Sequence, residues 1–226
     1  MLQILKIRKS FAEHEILRGL SFDAYPGQLT ILEGQNGAGK STLFNILVGN
    51  LRPDDGQIIL NNHDITSHKA LDRAHKIAIL KQDPKTSSAP NLSVLENCAL
   101  AFLKNQSPTL SYALKGSIRE KIRAHLKNLG LNYEEQWDKT MGTLSGGQRQ
   151  IIAFAMATIY KPELLLLDEP TAALDDSSTH VLMKLIKKLI TTWNIPAVMI
   201  SHDHALNQSY SDKIIILKQG ICEQIM

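Results

Sequence analysis

An α/β protein with a mostly parallel sheet is what this sequence predicts, and three observations carry the prediction. Short apolar runs at Leu29–Glu33, Leu164–Asp168 and 197–201 alternate with stretches of helical periodicity. A glycine-rich turn, Gly34-Gln35-Asn36-Gly37-Ala38-Gly39, joins the first of these runs to an apolar helix over 41–48. The second run ends in two acids, Asp168 and Glu169, and the carboxyl ends of buried parallel strands are where doubly wound sheets bind ligands.

The elements follow in order. Residues 2–8 and 16–22 read as strands joined by a polar turn with no helix between them, which predicts an antiparallel element at the N-terminus. After the helix over 41–48, Pro53-Asp54-Asp55-Gly56 is a turn, with strands at 57–60 and Ile77–Leu80. Strand candidates then vanish. Pro84, Pro90, Pro108 and Gly116 punctuate helical stretches at Val94–Leu103 and 117–129, and Ser93 with Glu96 has capping-box spacing. Residues 83–143 therefore read as a helical subdomain inserted between 1–82 and 144–226, both of which belong to one α/β core. A helix over 146–160 precedes the strand Leu164–Asp168. In the next helix, 177–193, Val181, Leu182, Leu185, Ile186, Leu189 and Ile190 form one apolar stripe. Lys213–Lys218 and Ile221–Ile225 close the chain as a hairpin around Gly220.

Composition removes several function classes. The 226 residues are 43% hydrophobic and 21% charged, so a disordered chain or a coiled-coil rod is excluded. Lys and Arg number 25 against 22 Asp and Glu, an excess too small and scattered to advertise nucleic acid. Lys184, Lys187 and Lys188 fall on the polar face of an amphipathic helix. No apolar run approaches the ~20 residues of a membrane span, and residues 1–11 lack the apolar region of a secretory signal. Cys98 and Cys222 fit no disulfide or metal spacing, so an intracellular protein with two reduced thiols is expected.

The motifs point to phosphate. Gly34 through Ser41 fits GxxxxGK[ST] at every fixed position, a match expected by chance in about 1% of such chains. Glycines let backbone amides turn inward around phosphate oxygens, and the helix N-terminus adds a favourable dipole. Lys40 brings a charge to the β- and γ-phosphates, and the Ser41 hydroxyl can ligate Mg²⁺. Asp168 would hold the Mg²⁺ shell while Glu169 polarises an attacking water. Leu144-Ser145-Gly146-Gly147-Gln148 is a second anion-binding helix start, with capping-box spacing between Ser145 and Gln148 and no lysine of its own. One chain thus carries two half-sites for phosphate.

In order along the chain, the phosphate loop, LSGGQ, the acid-ended strand, Thr171-Ala172-Ala173-Leu174-Asp175 and Ser201-His202 resemble an ATP-binding cassette (ABC) ATPase over essentially its whole length. The resemblance implies the P-loop NTPase fold of that family and a cytoplasmic ATPase lying on the inner face of the membrane. It implies an ATP-dependent homodimer, paired head to tail, each ATP held between one phosphate loop and the partner's LSGGQ. ATP and Mg²⁺ would meet Gly34, Gln35, Asn36, Gly37, Ala38, Gly39, Lys40, Ser41 and Thr42 on one side. Ser145, Gly146, Gly147, Gln148 and Asp175 would face them from the other. Gln82 matches the family's Mg²⁺-sensing glutamine and His202 its γ-phosphate histidine. Phe11 stands where the family more often has a tyrosine stacked on adenine.

Around Gln82–Asn97 and Met156-Ala157-Thr158 the chain looks like bacterial importer subunits of the tryptophan or tyrosine type, which imply permease subunits and a periplasmic binding protein. Lys139-Thr140-Met141-Gly142-Thr143 lacks the acidic stretch typical of exporters, and no regulatory C-terminal domain is expected after the last strand. A soluble chromosome-maintenance member would need a long coiled coil where about sixty residues intervene. A regulator that binds nucleotide without hydrolysing it would not need Glu169 and His202.

Overall fold

The computed structural model describes residues 1–104, 116–131 and 137–225, and Pro108 lies outside them. In chain order, β1 (Leu2–Phe11), β2 (His14–Ala24) and β3 (Leu29–Glu33) lead to α1 (Lys40–Val48). Then come β4 (Asp55–Leu60), β5 (His63–Asp64), α2 (Ala70–Arg73) and β6 (Ile77–Leu80). Helices α3 (Val94–Leu103), α4 (Gly116–Asn128) and α5 (Gly146–Ala157) follow. The chain ends with β7 (Leu164–Asp168), α6 (Asp176–Trp193), β8 (Ala197–Ile200), α7 (His204–Tyr210), β9 (Lys213–Lys218) and β10 (Ile221–Ile225).

The residues divide into two compact units. The first comprises Met1–Ile79, Pro162–Glu169 and Ile186–Met226. It holds an antiparallel sheet of order β2-β1-β4-β5 and most of a six-stranded sheet of order β10-β9-β3-β8-β7-β6. In the latter β3 runs parallel to β8 and β9, and β7 parallel to β8, with β10 antiparallel at one edge. This is the mixed arrangement the apolar runs predict. Strands β3, β7 and β8 read as continuous hydrophobic runs because both of their faces are covered: every residue of β3 and β8 is buried. Each fully buried leucine or isoleucine there contributes about 1.5–3 kcal/mol.

Helix α1 buries Leu43, Phe44, Ile46 and Leu47. Its last carbonyls are met by Arg73, which is 2% exposed. The guanidinium donates to Ile46 O at 2.7 Å and Leu47 O at 2.9 Å, and to the carbonyls of Ile65, Thr66 and His68. A buried cation at a helix C-terminus meets both the orphan carbonyls and the negative end of the helix dipole.

The second unit comprises Leu80–Lys161 and Pro170–Leu185. It is wider than the insertion expected at 83–143, because α5 and the start of α6 cluster with α3 and α4. Ser93 and Glu96 form the expected capping box on α3, at 3.2 and 2.7 Å. Helix α5 stops at Ala157 instead of 160: Thr158 leaves the helical backbone and its hydroxyl donates back to Phe154 O at 2.8 Å. Along α6 the stripe is corrected at one position. Val181 is 43% exposed, whereas Met183 is buried with Leu182, Ile186, Leu189 and Ile190. At 3.6 residues per turn Val181 stands roughly 140° from the centre of that face. Lys184 and Lys188 are exposed, and Lys187 pairs with Asp212.

Candidate active site

The ends of β3, β7 and β8 lie side by side in the first unit, and the phosphate loop, the two acids and His202 grow from them. Past Glu33 the chain turns through Gly34–Gly39 into α1. Gly39 is the N-cap with φ 103°, and a Cβ there would come 2.7 Å from Leu17 Cδ2, so the loop needs glycine for both backbone and space. Lys40 is buried, and its ammonium donates to Gly34 O and to Gln35 O at 3.0 Å. Desolvation lowers the Lys40 pKa, while Glu169 and Asp168 act in the opposite sense. The lysine therefore sits within the field of both acids. Ser41 is exposed at the helix start.

Glu169 adopts φ 45°, the left-handed region that a glutamate seldom enters, with its N–H bonded to Ile200 O at 3.1 Å. This backbone turn brings Glu169 Oε1 to 3.2 Å from His202 Nε2. The first unit thus unites Lys40, Asp168, Glu169 and His202. A cavity of about 380 Å³ is lined by Gly34–Ala38 and 216–219. Another, of about 290 Å³, is lined by Glu33, Gly34, Gln35, Ser201, His202 and His204, together with Ile216.

Glu13, His14, Arg18, Gly37 and Gln219 are among the residues that line a third cavity, of about 590 Å³. None of these polar side chains was picked out by motif, since each is unremarkable in sequence. The glycine after Gln219 was the available signal, because it marks the hairpin tip that carries Gln219 there. Phe11 is not among the lining residues. It is 46% exposed at the end of β1, with the Lys9 ammonium 5.6 Å from its ring centre. An exposed ring rules out a core-packing role for Phe11.

In the second unit Ser145 caps α5, accepting from Gln148 N at 3.2 Å, while Gln148 Oε1 accepts from Ser145 N at 3.1 Å. Ser145 and Gly146 are exposed. Gly147 is buried, and a Cβ on it would lie 2.3 Å from Ser178 Oγ. That glycine is required by packing at the start of α6, whereas a Cβ on Gly146 would meet only Ala173 O, at an ordinary contact distance of 3.9 Å. Asp175 caps α6, accepting from Ser178 N at 2.8 Å and Ser178 Oγ at 2.9 Å, and these bonds lower its pKa. Gln82 is exposed.

The family model described as ABC transporter matches residues 17–172. A tyrosine transport ATP-binding protein of Clostridioides difficile is 34% identical over 97% of this chain and 89% of its own length. A spermidine/putrescine import ATP-binding protein of Mycoplasma mycoides is 31% identical over 100% of this chain. A sulfate/thiosulfate import ATP-binding protein of Pseudomonas syringae is 31% identical over 99% of it. The chain spans 61% and 66% of the lengths of these last two. Among solved structures, cbiO1 of Clostridium perfringens, part of an ABC transporter complex, superposes with a TM-score of 0.87. It is 29% identical over 99% of this chain and 87% of its own. A dimeric ATP-binding cassette in a post-hydrolysis state, bound to ADP and phosphate, has a TM-score of 0.82 and 26% identity over 100% of this chain and 98% of its own. The chain belongs to the ABC transporter family, as an ATP-binding subunit that hydrolyses ATP.

Proposed function

We propose that this subunit energises import through separate membrane permease subunits, with two copies closing head to tail around ATP. Import is supported by the relatives' names, which describe uptake of sulfate or polyamines, or transport of tyrosine. An aromatic amino acid is the cargo we favour, delivered to the permease by a periplasmic binding protein. No helix among the described residues is long and apolar enough to cross a membrane. The proposed place of the subunit is the cytoplasmic face, against the permease.

The observation that carries the reading is the pairing of Lys40, Asp168, Glu169 and His202 at the ends of three parallel strands. Lys40 would bind the β- and γ-phosphates, and the amides of the Gly34–Thr42 stretch would surround them. Glu169 would polarise the attacking water with His202 beside it at the γ-phosphate. The hydroxyl of Ser41 and the carboxylate of Asp168 are hard oxygen donors of the kind Mg²⁺ prefers, near a lysine already held by loop carbonyls. They would hold that ion, which would supply charge neutralisation on the phosphates. Asp175, Ser145, Gly146, Gly147 and Gln148 would complete the site of the opposing copy.

Complementation tests the shared site. Ser145→Arg should spare nucleotide binding by the monomer and block dimerisation and hydrolysis, because Ser145 is exposed and a bulky cation there fills the gap at the γ-phosphate. Mixed with Lys40→Ala chains, it forms a heterodimer holding one site with both halves intact. Partial return of ATPase activity on mixing is expected. Wild-type activity of Ser145→Arg at dilute, monomeric concentration would refute the composite site.

Phe11→Ala should raise the Kd for ATP, since stacking on a base contributes about 1–3 kcal/mol. Exposed as it is, the ring should leave thermal stability within about 0.5 kcal/mol. Unchanged affinity in a calorimetric titration would remove Phe11 from the site.

A further inference from the structure

Glu33 is a carboxylate in a place that should not favour one. It ends a strand that is buried along its whole length, is 8% exposed, and directly precedes the phosphate loop. A buried anion there is unfavourable both by desolvation and by repulsion of phosphate, unless it is firmly paired. Its partners lie on α7. Glu33 Oε1 accepts from Asn207 Nδ2 at 2.7 Å, and Glu33 Oε2 is 3.1 Å from His204 Nδ1. Asn207 is fully buried, and its Oδ1 has no partner among the described residues. The side chain is thus oriented by the charge-assisted bond to Glu33, since the flipped amide would set two acceptors against each other.

These bonds fix the backbone that carries His202. On one side Ile200 pairs in register with Leu32, and Ser201 is buried. On the other side Asp203 caps α7, accepting from Leu206 N at 3.0 Å, and α7 is fastened to Glu33. His202 lies between the two anchors, 43% exposed along its side chain and 3.2 Å from Glu169. The ring is placed by that contact with Glu169 and by the backbone anchored on either side.

We propose that Glu33 is a positioning residue for His202: through Asn207 and His204, its carboxylate holds the loop that places the imidazole beside Glu169. The strand end that starts the phosphate loop is thereby tied to the histidine expected at the γ-phosphate. The proposal rests on the ATPase reading above and adds a residue to it.

Three variants test it, with ATP hydrolysis, ATP affinity and the histidine NMR signals of the intact chain as readouts. Glu33→Ala should lower kcat by about tenfold or more, as displacement of a reacting group by about 1 Å can, with KM for ATP within about threefold of wild type. Glu33→Gln keeps one carbonyl acceptor for Asn207 and should retain kcat within about threefold. His204→Ala, at an exposed position that threatens folding little, should lose about threefold in kcat with KM unchanged. The His202 ring resonances should shift in Glu33→Ala and stay in place in Glu33→Gln. Wild-type kcat in His204→Ala and in a folded Glu33→Ala would overturn the proposal. So would a loss of kcat with unmoved His202 resonances, or a changed ATP affinity at constant kcat. The NMR comparison needs no turnover. If wild type fails to hydrolyse ATP, the ATPase reading falls while the resonances still decide the role of Glu33.

Discussion

Glu169→Gln is expected to abolish ATP turnover, with a loss of at least about 10²-fold, while ATP binding stays intact. The amide keeps the size of the carboxylate and can still meet His202 Nε2, which lies 3.2 Å from Oε1. What it loses is the charge that polarises a water. Without hydrolysis, ATP should hold two copies together, so gel filtration should show a dimer that forms with ATP and persists. Backbone geometry gives a second, independent reading. Glu169 sits at φ 45°, a conformation that costs a non-glycine residue about 1–3 kcal/mol and is kept where function over-determines it. Glu169→Gly should therefore gain stability in thermal denaturation as it loses activity. Full hydrolysis by the glutamine variant would remove Glu169 from the chemistry. A glycine variant that is less stable would mean that the turn is not strained.

Much of this architecture was legible because local chemistry and global fold agree. The strands β3, β7 and β8 are short, mainly apolar runs, and β7, β9 and β10 lie where the pattern puts them. The capping boxes at Ser93 and Ser145 were readable from spacing alone, since each needs only a hydroxyl and a Glu or Gln three residues on. What escaped was long-range. Arg73 belongs to no motif, yet it is buried because carbonyls from α1 and from Ile65, Thr66 and His68 converge on it. Glu33 reads as the polar end of a strand, and its partners are more than 170 residues away in sequence. Val181 fits an i, i+4 stripe, but only the tertiary packing decides which edge of that stripe faces solvent. Among the site residues, GxxxxGK[ST] and the acid-ended strand were found by pattern. The residues around His14 had no pattern to find, and Gln219 had only the hairpin glycine beside it.

Lys40→Ala is expected to end hydrolysis and to raise the Kd for ATP by about 10²-fold or more. Two unit charges ~4 Å apart at a partly solvated site attract by roughly 4 kcal/mol, and the neighbouring acids add to the loss. Asp168 and Glu169 are offset by Lys40 in the free protein. Once the ammonium is gone, their charge opposes an incoming polyanion directly. Stability should behave differently from affinity. Desolvation is the largest influence on Lys40 and lowers its pKa despite both acids, so the fold holds the protonated lysine less well than water does. Alanine relieves that burden, although it leaves Gly34 O and Gln35 O without their donor. Without nucleotide, the melting temperature should change little. With ATP at a hundred times the wild-type Kd, wild type should gain about 2.7 kcal/mol, whereas a variant binding 10²-fold more weakly gains only about 0.4 kcal/mol. Thermal scans with and without ATP separate the two effects in one experiment. An equal ATP-induced shift in both proteins would mean that the charge at the phosphate loop does not hold the nucleotide.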